Sequence, residues 1–107
     1  MKDLGALMKQ AQAMQQKLTE AQARLAETTA DGVSGGGLVT LTLKGSGELT
    51  RVHIDDTLMQ AGEGEIVADL LIAAHADAKK KLDALQADTM REIAGPMAGL
   101  PGFPGIA

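Results

Sequence analysis

The sequence contains no cysteine, no tryptophan and no tyrosine, and its only aromatic residue is Phe103. Without cysteine, the chain can form neither a disulfide framework nor a thiolate metal site, and it has no thiol nucleophile. The absence suits a reducing compartment, so we expect a cytoplasmic protein. A single aromatic side chain also argues against recognition of single-stranded nucleic acid by stacking on its bases.

Long hydrophobic runs are missing as well. No apolar stretch reaches the roughly 18 residues of a membrane-spanning helix, and the N-terminal segment lacks the apolar core and cleavage site of a signal peptide. Apolar residues make up 45% of the 107 residues, but they are mostly Ala, Leu and Met. Such side chains fill little core volume, so we expect one small domain that gains buried surface by association with a second copy.

Arrangements that suggest catalysis or metal binding are scarce. His53 and His75 stand alone, and the two serines lie in glycine-rich turns, so no pair of nucleophile and base is indicated. The carboxylates between residues 55 and 65 follow no calcium-loop pattern. His75 falls on the apolar face of a predicted helix and is interpreted as a core or interface residue. We predict no enzyme activity, no metal, no cofactor and no small-molecule substrate.

Residues 4–28 show the clearest periodicity in the chain. Apolar and small residues recur there at alternating spacings of three and four, which is a heptad pattern. The positions are Leu4, Leu7, Ala11, Met14, Leu18, Ala21, Leu25 and Thr28. The pattern predicts an amphipathic helix whose narrow stripe favours pairing with another helix about as much as packing on its own core.

Three strands are predicted after this helix. In "VTLTLK" apolar residues alternate with polar ones, and "GSG" turns the chain into a second apolar segment, which indicates a hairpin. The three glycines before it precede a strand instead of opening a helix, so we interpret them as a turn and not as a phosphate loop. The predicted strands cover about 28–34, 37–44 and 48–54.

A second long helix is predicted from about residue 64 to residue 93, with Val67, Leu71 and Leu82 on its apolar face. The elements then follow the order α-β-β-β-α, an α+β fold with an antiparallel sheet, in one domain at residues 1–94. Residues 95–107 form a tail rich in glycine and proline. We expect this tail to be flexible or to lie against the domain, with Phe103 as its anchor.

Charge is distributed unevenly along the chain. Ten Lys and Arg residues oppose fourteen Asp and Glu residues, for a net charge of -4. Basic residues prevail near the N-terminus and around "KKK" at 79–81, whereas residues 55–77 carry six carboxylates and neither lysine nor arginine. Asp77 and Asp83 offer the three lysines partners within the helix. The segregation permits a basic surface on an acidic protein, although solvated helices commonly show the same pattern.

Four segments resemble the YbaB/EbfC family of bacterial nucleoid-associated proteins. They are "LMKQAQAMQQKL", "GGGLVTLTLKGSGELTRVHID", "DLLIAAHADAKKK" and "LPGF", in one order along nearly the whole chain. The resemblance implies a two-fold homodimer of α-β-β-β-α subunits whose projecting helices bind duplex DNA in the nucleoid and change its conformation. It also implies roles in nucleoid organisation and gene regulation.

The resemblance assigns DNA binding to cationic side chains of the two helices, mainly as phosphate contacts. We place the N-terminal lysines first, because no acidic residue occurs between Leu4 and Thr19. Arg24 ranks lower, since Glu20 and Glu27 are expected to neutralise it, and Lys80 ranks first in the second helix because it points away from the apolar stripe. The full set is Lys2, Lys9, Lys17, Arg24, Lys79, Lys80, Lys81 and Arg91.

A second class of function is a non-enzymatic protein-interaction module of coiled-coil type. In that interpretation residues 4–28 dock a partner helix, and the lysines only keep the chain soluble. Weak dependence of DNA binding on salt would favour this class. A third class, a small hydrolase that uses the acidic loop, lacks a nucleophile in the sequence.

Overall fold

The computed structural model describes residues 2–95 and has two long helices and three strands. They are α1 (Lys2–Glu27), β1 (Thr29–Ser34), β2 (Val39–Lys44), β3 (Leu49–Ile54) and α2 (Gly64–Ala94). The predicted α+β fold with the order α-β-β-β-α is confirmed. Helix α1 begins two residues earlier than predicted, and β2 begins two residues later because Gly35–Gly37 form a 3₁₀ turn with positive φ angles.

The three strands form one antiparallel sheet in the order β1-β2-β3, with "GSG" in the turn between β2 and β3 as predicted. Leu41 lies opposite Gly32 on one side and opposite Val52 on the other. Residues directly opposite each other point to the same face of a sheet. The apolar face of β2 therefore continues onto both neighbouring strands.

Helix α2 covers this apolar face mainly over β1 and β2. Val39, Leu41 and Leu43 are buried there with Ala74 and Ala78 of the helix. Alanines allow the helix to approach the sheet closely, and Gly32 extends this approach, because a Cβ at position 32 would collide with the Ala74 carbonyl group and the Ala78 side chain. Small side chains thus set the distance between helix and sheet.

Helix α2 also binds the outer edge of β1 by hydrogen bonds. The Val33 N–H donates to the Asp77 carboxylate at 3.0 Å, and the Ser34 hydroxyl donates to the Leu70 carbonyl at 2.6 Å. Lys81 Nζ donates to the Asp31 carbonyl at 2.8 Å. These bonds satisfy groups of an edge strand that would otherwise be open to another chain.

Helix α1 leads away from the sheet, and the described residues form an elongated body of 74 × 23 × 15 Å. Only part of its predicted apolar stripe is covered. Ala21 is buried and Met14, Leu18 and Leu25 are half-buried, whereas the first turns of the stripe are exposed. The heptad pattern therefore has a partner helix within the chain, α2, for its C-terminal half only.

His75 is exposed in the single chain, so the core half of its interpretation is wrong, and Ala74 and Ala78 take the buried places on α2. The other half, a place in an interface, stays a prediction. The proline-containing part of the tail and the predicted anchor Phe103 lie outside the described residues. Neither of the long helices described between residues 2 and 95 contains the apolar stretch that a membrane span requires.

Candidate nucleic-acid interface

Three cationic residues form a row along one side of α1. Lys9, Lys17 and Arg24 are separated by eight and seven residues and are all exposed. At 100° and 1.5 Å per residue, they fall within an arc of about 80° and are spaced about 12 Å and 10.5 Å along the helix axis. We call these three residues the basic row. The side chain of Lys2, which the same spacing would add, lies outside the described part of the chain.

The basic row carries no ion pair within the part of the chain that the structure describes. The expected neutralisation of Arg24 is therefore wrong. Glu27 pairs instead with Lys44 of β2 at 2.9 Å, and Glu20 accepts a hydrogen bond from the Gln16 amide at 3.3 Å. All three cations of the row remain available to a ligand.

Lys44 explains why Glu27 is diverted from Arg24. Its ammonium group lies 2.9 Å from Glu27 and 3.8 Å from Glu48, across the junction between α1 and the sheet. The hydrogen bond to Glu27, supported by its charge, holds the pKa of Lys44 above its usual range. Lys44 thus serves the fold, since it joins the end of α1 to β2.

The basic row faces away from the packed side of α1. The middle of the row lies about 110° around the helix from the middle of the packed side, which is formed by the half-buried residues Met14, Leu18 and Leu25. A ligand can therefore contact the row while α1 stays packed on α2. The row projects along a helix that extends from the body of the protein, and nothing in residues 2–95 covers it.

The cationic side chains of α2 differ in whether they form ion pairs. Lys79 pairs with Asp83 at 3.2 Å and Arg91 pairs with Asp88 at 3.0 Å, both fully on the surface. Exposed pairs of this kind contribute only about 0 to 1 kcal/mol, so either cation can exchange its partner for a phosphate. Lys80 has no ion pair among the described residues. It is the most available of the three consecutive lysines.

Lys81 differs from its neighbours because it connects α2 to β1. Its ammonium group lies 3.0 Å from Asp77 and also donates to the Asp31 carbonyl of β1. Moving Lys81 to a phosphate would break both interactions. The sequence showed the partner at position 77 but gave no sign of the bond to β1, which is fifty residues away in the chain.

Arg51 is a cation that the sequence reasoning did not select. It is exposed on β3, opposite Thr42, on the sheet face turned away from α2, and it has no ion pair within residues 2–95. Period-two alternation in "LTRVHI" could have placed it on that face, since Val52 occupies the other. A single arginine in a strand lacks the run of like charge that drew attention to the helices.

The remaining candidates for chemistry have structural explanations. Asp55 accepts bonds from the Thr57 hydroxyl at 2.7 Å and its N–H at 2.9 Å, and these bonds, the hydroxyl first, hold the pKa of Asp55 below its usual range. Residues 2–95 contain no cluster of three side chains placed to hold a metal. A cleft beside Leu25, His75 and Leu82 has a volume of about 170 Å³, below the roughly 300 Å³ at which small-molecule sites begin.

The chain is similar to known proteins over nearly its whole length. The model of the YbaB/EbfC DNA-binding family matches residues 1–97. The chain belongs to this family. It is 73% identical over 107 residues to a nucleoid-associated protein of Caulobacter vibrioides, covering 99% of this chain and 98% of the relative. It is 67% identical over 104 residues to one of Phenylobacterium zucineum, covering 97% of each.

A solved structure has a similar fold. The crystal structure of an uncharacterised protein from Helicobacter pylori matches with a TM-score of 0.61 at 26% identity, covering 92% of this chain and 97% of that one. The predicted YbaB/EbfC resemblance is confirmed. The family is one of nucleoid-associated DNA-binding proteins and not an enzyme family, which accords with exposed cations as the main chemical feature of the described surface.

Proposed function

We propose that this YbaB/EbfC protein binds duplex DNA in the bacterial nucleoid as a homodimer, mainly through the phosphate backbone, and changes the conformation of the DNA. Residues 1–94 form the binding domain, and the cytoplasm is its compartment. Nucleoid organisation and gene regulation are the roles that follow. The observation that carries the proposal is the basic row of Lys9, Lys17 and Arg24 on the exposed side of a projecting helix.

Phosphates are the target that fits the basic row best. Lysine and arginine contact phosphates without reading base sequence, and they gain affinity from counterion release. The row extends over about 22 Å, a length along which duplex DNA presents about 13 phosphate charges. The three cations can therefore bind phosphates of the DNA backbone in several equivalent registers. Helix α2 would add phosphate interactions, first from Lys80 and, in a supporting role, from Lys79, Lys81 and Arg91.

The row also explains how a protein with a net charge of -4 can bind a polyanion. The acidic residues between positions 55 and 77 lie in the segment that leads into α2 and in its first half, whereas the row begins at the far end of α1. At physiological ionic strength, charges more than about 8 Å apart are largely screened from each other. The local field of the row, and not the total charge, then governs the encounter with DNA.

A homodimer is supported by the uncovered face of β3. Leu49 and Val52 share the sheet face of the core residues Leu43 and Leu41, yet they remain 49% and 42% exposed. The outer edge of β3 has no strand partner among the described residues. Exposed apolar surface beside an open edge is typical of an association surface. A two-fold dimer formed here would double the number of cationic rows.

Two rows held by one dimer give a physical route to a change in DNA shape. Bending a site of 20–30 base pairs by 40–90° costs on the order of 1–6 kcal/mol, which additional phosphate interactions can offset. Two projecting helices can bind at the same time only if the duplex follows their spacing. The change in conformation thus depends on the dimer, whereas phosphate binding depends on each row.

A mobility assay over a salt series tests the proposal. The full chain is titrated into a duplex and into one of its single strands, at salt concentrations from about 50 to 200 mM. We expect binding to the duplex to be tighter and to weaken steeply with salt, with a slope of about -0.9 for each phosphate bound. Binding that is absent at the lowest salt, or that is insensitive to salt, would contradict the proposal.

The alternative of a protein-interaction module rests on a different observation. Leu4, Leu7 and Met8 of α1 are exposed in a heptad stripe, which is a surface that a partner helix could cover. The same assay separates the two functions, because apolar docking does not depend on counterion release. Salt-insensitive or undetectable DNA binding would favour the interaction module.

A further inference from the structure

Helix α1 is joined to the sheet by a single residue. Thr28 lies between the end of the helix at Glu27 and the start of β1 at Thr29. Rotation about the backbone dihedrals of one such residue changes the direction of a whole helix, and hinges in proteins use positions of this kind. The basic row lies on α1, so its direction depends on the contacts that hold the helix near Thr28.

The turn between β2 and β3 holds the end of α1 by hydrogen bonds. The Gly45 N–H donates to the Thr28 carbonyl at 2.8 Å, and the Ser46 N–H donates to the Ala26 carbonyl at 3.2 Å. The last four carbonyl groups of a helix have no partner within the helix. The turn supplies one of these partners, and it thereby connects the helix end to the sheet.

The same turn fits closely against α1. A Cβ at position 45 would collide with the Leu25 carbonyl group, so the close approach requires Gly45 although its φ angle is not positive. Lys44 adds the ion pair of 2.9 Å with Glu27. We call Lys44, Gly45 and Ser46 the helix clamp. It combines two backbone hydrogen bonds, a steric fit and an ion pair at the end of one helix.

The packing of α1 on α2 is a support of a different kind. Ala21 is buried there, and Met14, Leu18 and Leu25 are half-buried. Apolar contacts are non-directional, so they hold the two helices together without fixing the angle between them closely. Hydrogen bonds weaken steeply when they are misaligned. The helix clamp therefore contributes the direction of α1, and the packing on α2 contributes contact area.

The length of α1 amplifies any rotation at the helix clamp. Lys9 lies eighteen residues before Glu27, which is about 27 Å along the helix axis. A rotation of about 10° moves Lys9 by about 5 Å. A charge-assisted hydrogen bond to a phosphate is only about 2.7–2.9 Å long, so this displacement separates Lys9 from the phosphate that it binds. In a dimer, the spacing between the two rows changes with each of these rotations.

We propose that the helix clamp fixes the direction of α1 and so determines the DNA conformation that the dimer stabilises, with Lys44 and Gly45 as positioning residues. The inference rests on the proposed function, in which the two basic rows of a dimer bind one duplex. Phosphate binding by one row requires only its cations, whereas bending the duplex requires a fixed angle between two rows. Loss of the clamp should therefore preserve binding and remove the bend.

The two carboxylate partners of Lys44 provide a matched pair of variants. Glu27→Gln removes the ion pair that joins α1 to β2. Glu48→Gln is the control, because it removes the same charge beside Lys44 but breaks a pair within the β2–β3 hairpin. Lys44 keeps one carboxylate partner in each variant. Gly45→Ala disturbs the clamp in a second way, since the added Cβ meets the Leu25 carbonyl.

Spin labels measure the direction of α1 in the full chain, because the natural chain has no thiol. Gln12→Cys/His53→Cys places labels at exposed positions of α1 and β3, and dilution with unlabelled chains restricts the measurement to one chain. Gln12 is about 22 Å from Glu27, so a rotation of about 10° moves the label by about 4 Å. Glu27→Gln and Gly45→Ala should shift or broaden the distance by about 4 Å, and Glu48→Gln should keep the natural distance.

Energy transfer between dyes at the two ends of a duplex of about 30 base pairs reports its bend. The natural chain and Glu48→Gln should bring the ends closer together, whereas Glu27→Gln and Gly45→Ala should lose this change. A duplex of about 10 base pairs is about 34 Å long and accommodates one row of about 22 Å. All four proteins should bind this duplex with the same salt slope, because every cation of the row is present.

Three results would overturn the inference. Glu27→Gln and Gly45→Ala could keep the natural label distance, which would show that the clamp does not direct α1. They could change the distance and leave the bend as in Glu48→Gln, which would show that the direction of α1 does not determine DNA shape. In both cases salt-dependent binding of the short duplex by the natural chain would still support the proposed function. Absence of binding by the natural chain would contradict the proposed function, and the inference with it.

Discussion

The Asp77 carboxylate on α2 accepts a hydrogen bond of 3.0 Å from the backbone N–H of Val33 on β1. The same carboxylate lies 3.0 Å from Lys81, whose ammonium group donates to the carbonyl of Asp31. One ion pair within α2 thus satisfies a donor and an acceptor on the edge of β1. This arrangement protects an edge strand and gives a charged pair on the surface a role in the fold.

The stability of the protein should depend on the ionisation of Asp77. The bond from the Val33 N–H, followed by the bond from Lys81, holds the pKa of Asp77 below its usual range. A depressed folded-state pKa stabilises the protein above the unfolded-state pKa of about 3.9, and this contribution is lost as the pH falls through the folded-state value. Asp77→Asn should therefore lower the Tm at neutral pH and reduce the loss of stability below about pH 4, measured by urea unfolding across the pH range.

The pKa of Asp55 is also depressed, so protonation of Asp55 destabilises the protein over the same acidic range. This contribution is present in both the natural chain and Asp77→Asn. The difference between their pH-dependent free energies of unfolding therefore reports on position 77 alone. Asp83→Asn is the matched control. It removes the exposed pair with Lys79 and no bond to the sheet, and its Tm should stay near that of the natural protein. Equal effects of the two substitutions would show that the bond to Val33 contributes nothing.

Gly32→Ala should destabilise the packing of α2 on β1. A Cβ at this position meets the backbone carbonyl of Ala74, which cannot move aside as a flexible side chain can. We expect a loss of about 2 to 3 kcal/mol in the free energy of unfolding, measured with urea. Gly5→Ala is the control, because its Cβ would meet no atom within 4 Å in α1, and it should stabilise by about 0.5 to 1 kcal/mol. A stable Gly32→Ala variant would contradict the close approach.

Val52→Asp should separate the proposed dimer. The substitution places a charge on the exposed apolar face of β3 without opening the core, since Val52 is already 42% exposed. Light scattering should give about 22 kDa for the natural protein, twice the 11.0 kDa of one chain, and about 11 kDa for the variant. His53→Asp adds the same charge on the other face of β3 and should remain a dimer. Dimers in both variants would place the interface elsewhere.

The sequence predicted the elements of the fold because each has a local signal. Heptad spacing gave α1, alternation in "VTLTLK" gave β2, and glycines marked the turns. The division of the α1 stripe into a covered and an exposed half was not predictable, because it depends on where α2 ends relative to α1. His75 is not a core residue for a related reason: its spacing fits the stripe, but Ala74 and Ala78 lie closer to the line along which α2 packs on β1.

In the candidate site too, contacts between distant elements could not be predicted from local spacing. Local spacing correctly suggested the pairs of Lys79 and Lys81 within α2. The same rule failed at Arg24, because Glu27 found a stronger partner in Lys44, seventeen residues away on β2. Pairs across elements decide which cations stay free, and one sequence does not reveal them. The binding of each cation to DNA remains a prediction.

Lys80→Gln should weaken DNA binding more than Lys79→Gln or Lys81→Gln. Lys80 has no ion pair within residues 2–95, whereas Lys79 pairs with Asp83 and Lys81 is held by Asp77 and β1. Removing a cation that binds a phosphate should reduce the salt dependence of log affinity by about 0.9, and removing a cation engaged elsewhere should change it less. Fluorescence anisotropy on one duplex over a salt series measures all three. A larger effect of Lys81→Gln, at unchanged Tm, would reverse the ranking.

The double variant Lys9→Gln/Lys17→Gln tests the basic row itself. If both side chains bind phosphates, affinity should fall by a similar factor on unrelated duplex sequences, because phosphate binding carries no base information. The salt dependence of log affinity should flatten by about 1.8 per subunit, since each lysine that binds a phosphate accounts for about 0.9. The Tm should stay near that of the natural chain, since neither lysine has an ion pair or a packing role among the described residues.

A control with the same change in total charge separates the row from net charge. Gln60→Glu/Gln86→Glu also lowers the charge of the chain by two, but it does so at exposed positions outside α1. If the field of the whole protein governed binding, both double variants would lose affinity equally. If the row binds phosphates, the control should keep the natural salt slope, because every cation of the row is still present. Natural affinity and slope in Lys9→Gln/Lys17→Gln, with the dimer intact, would favour the protein-interaction module over DNA binding through α1.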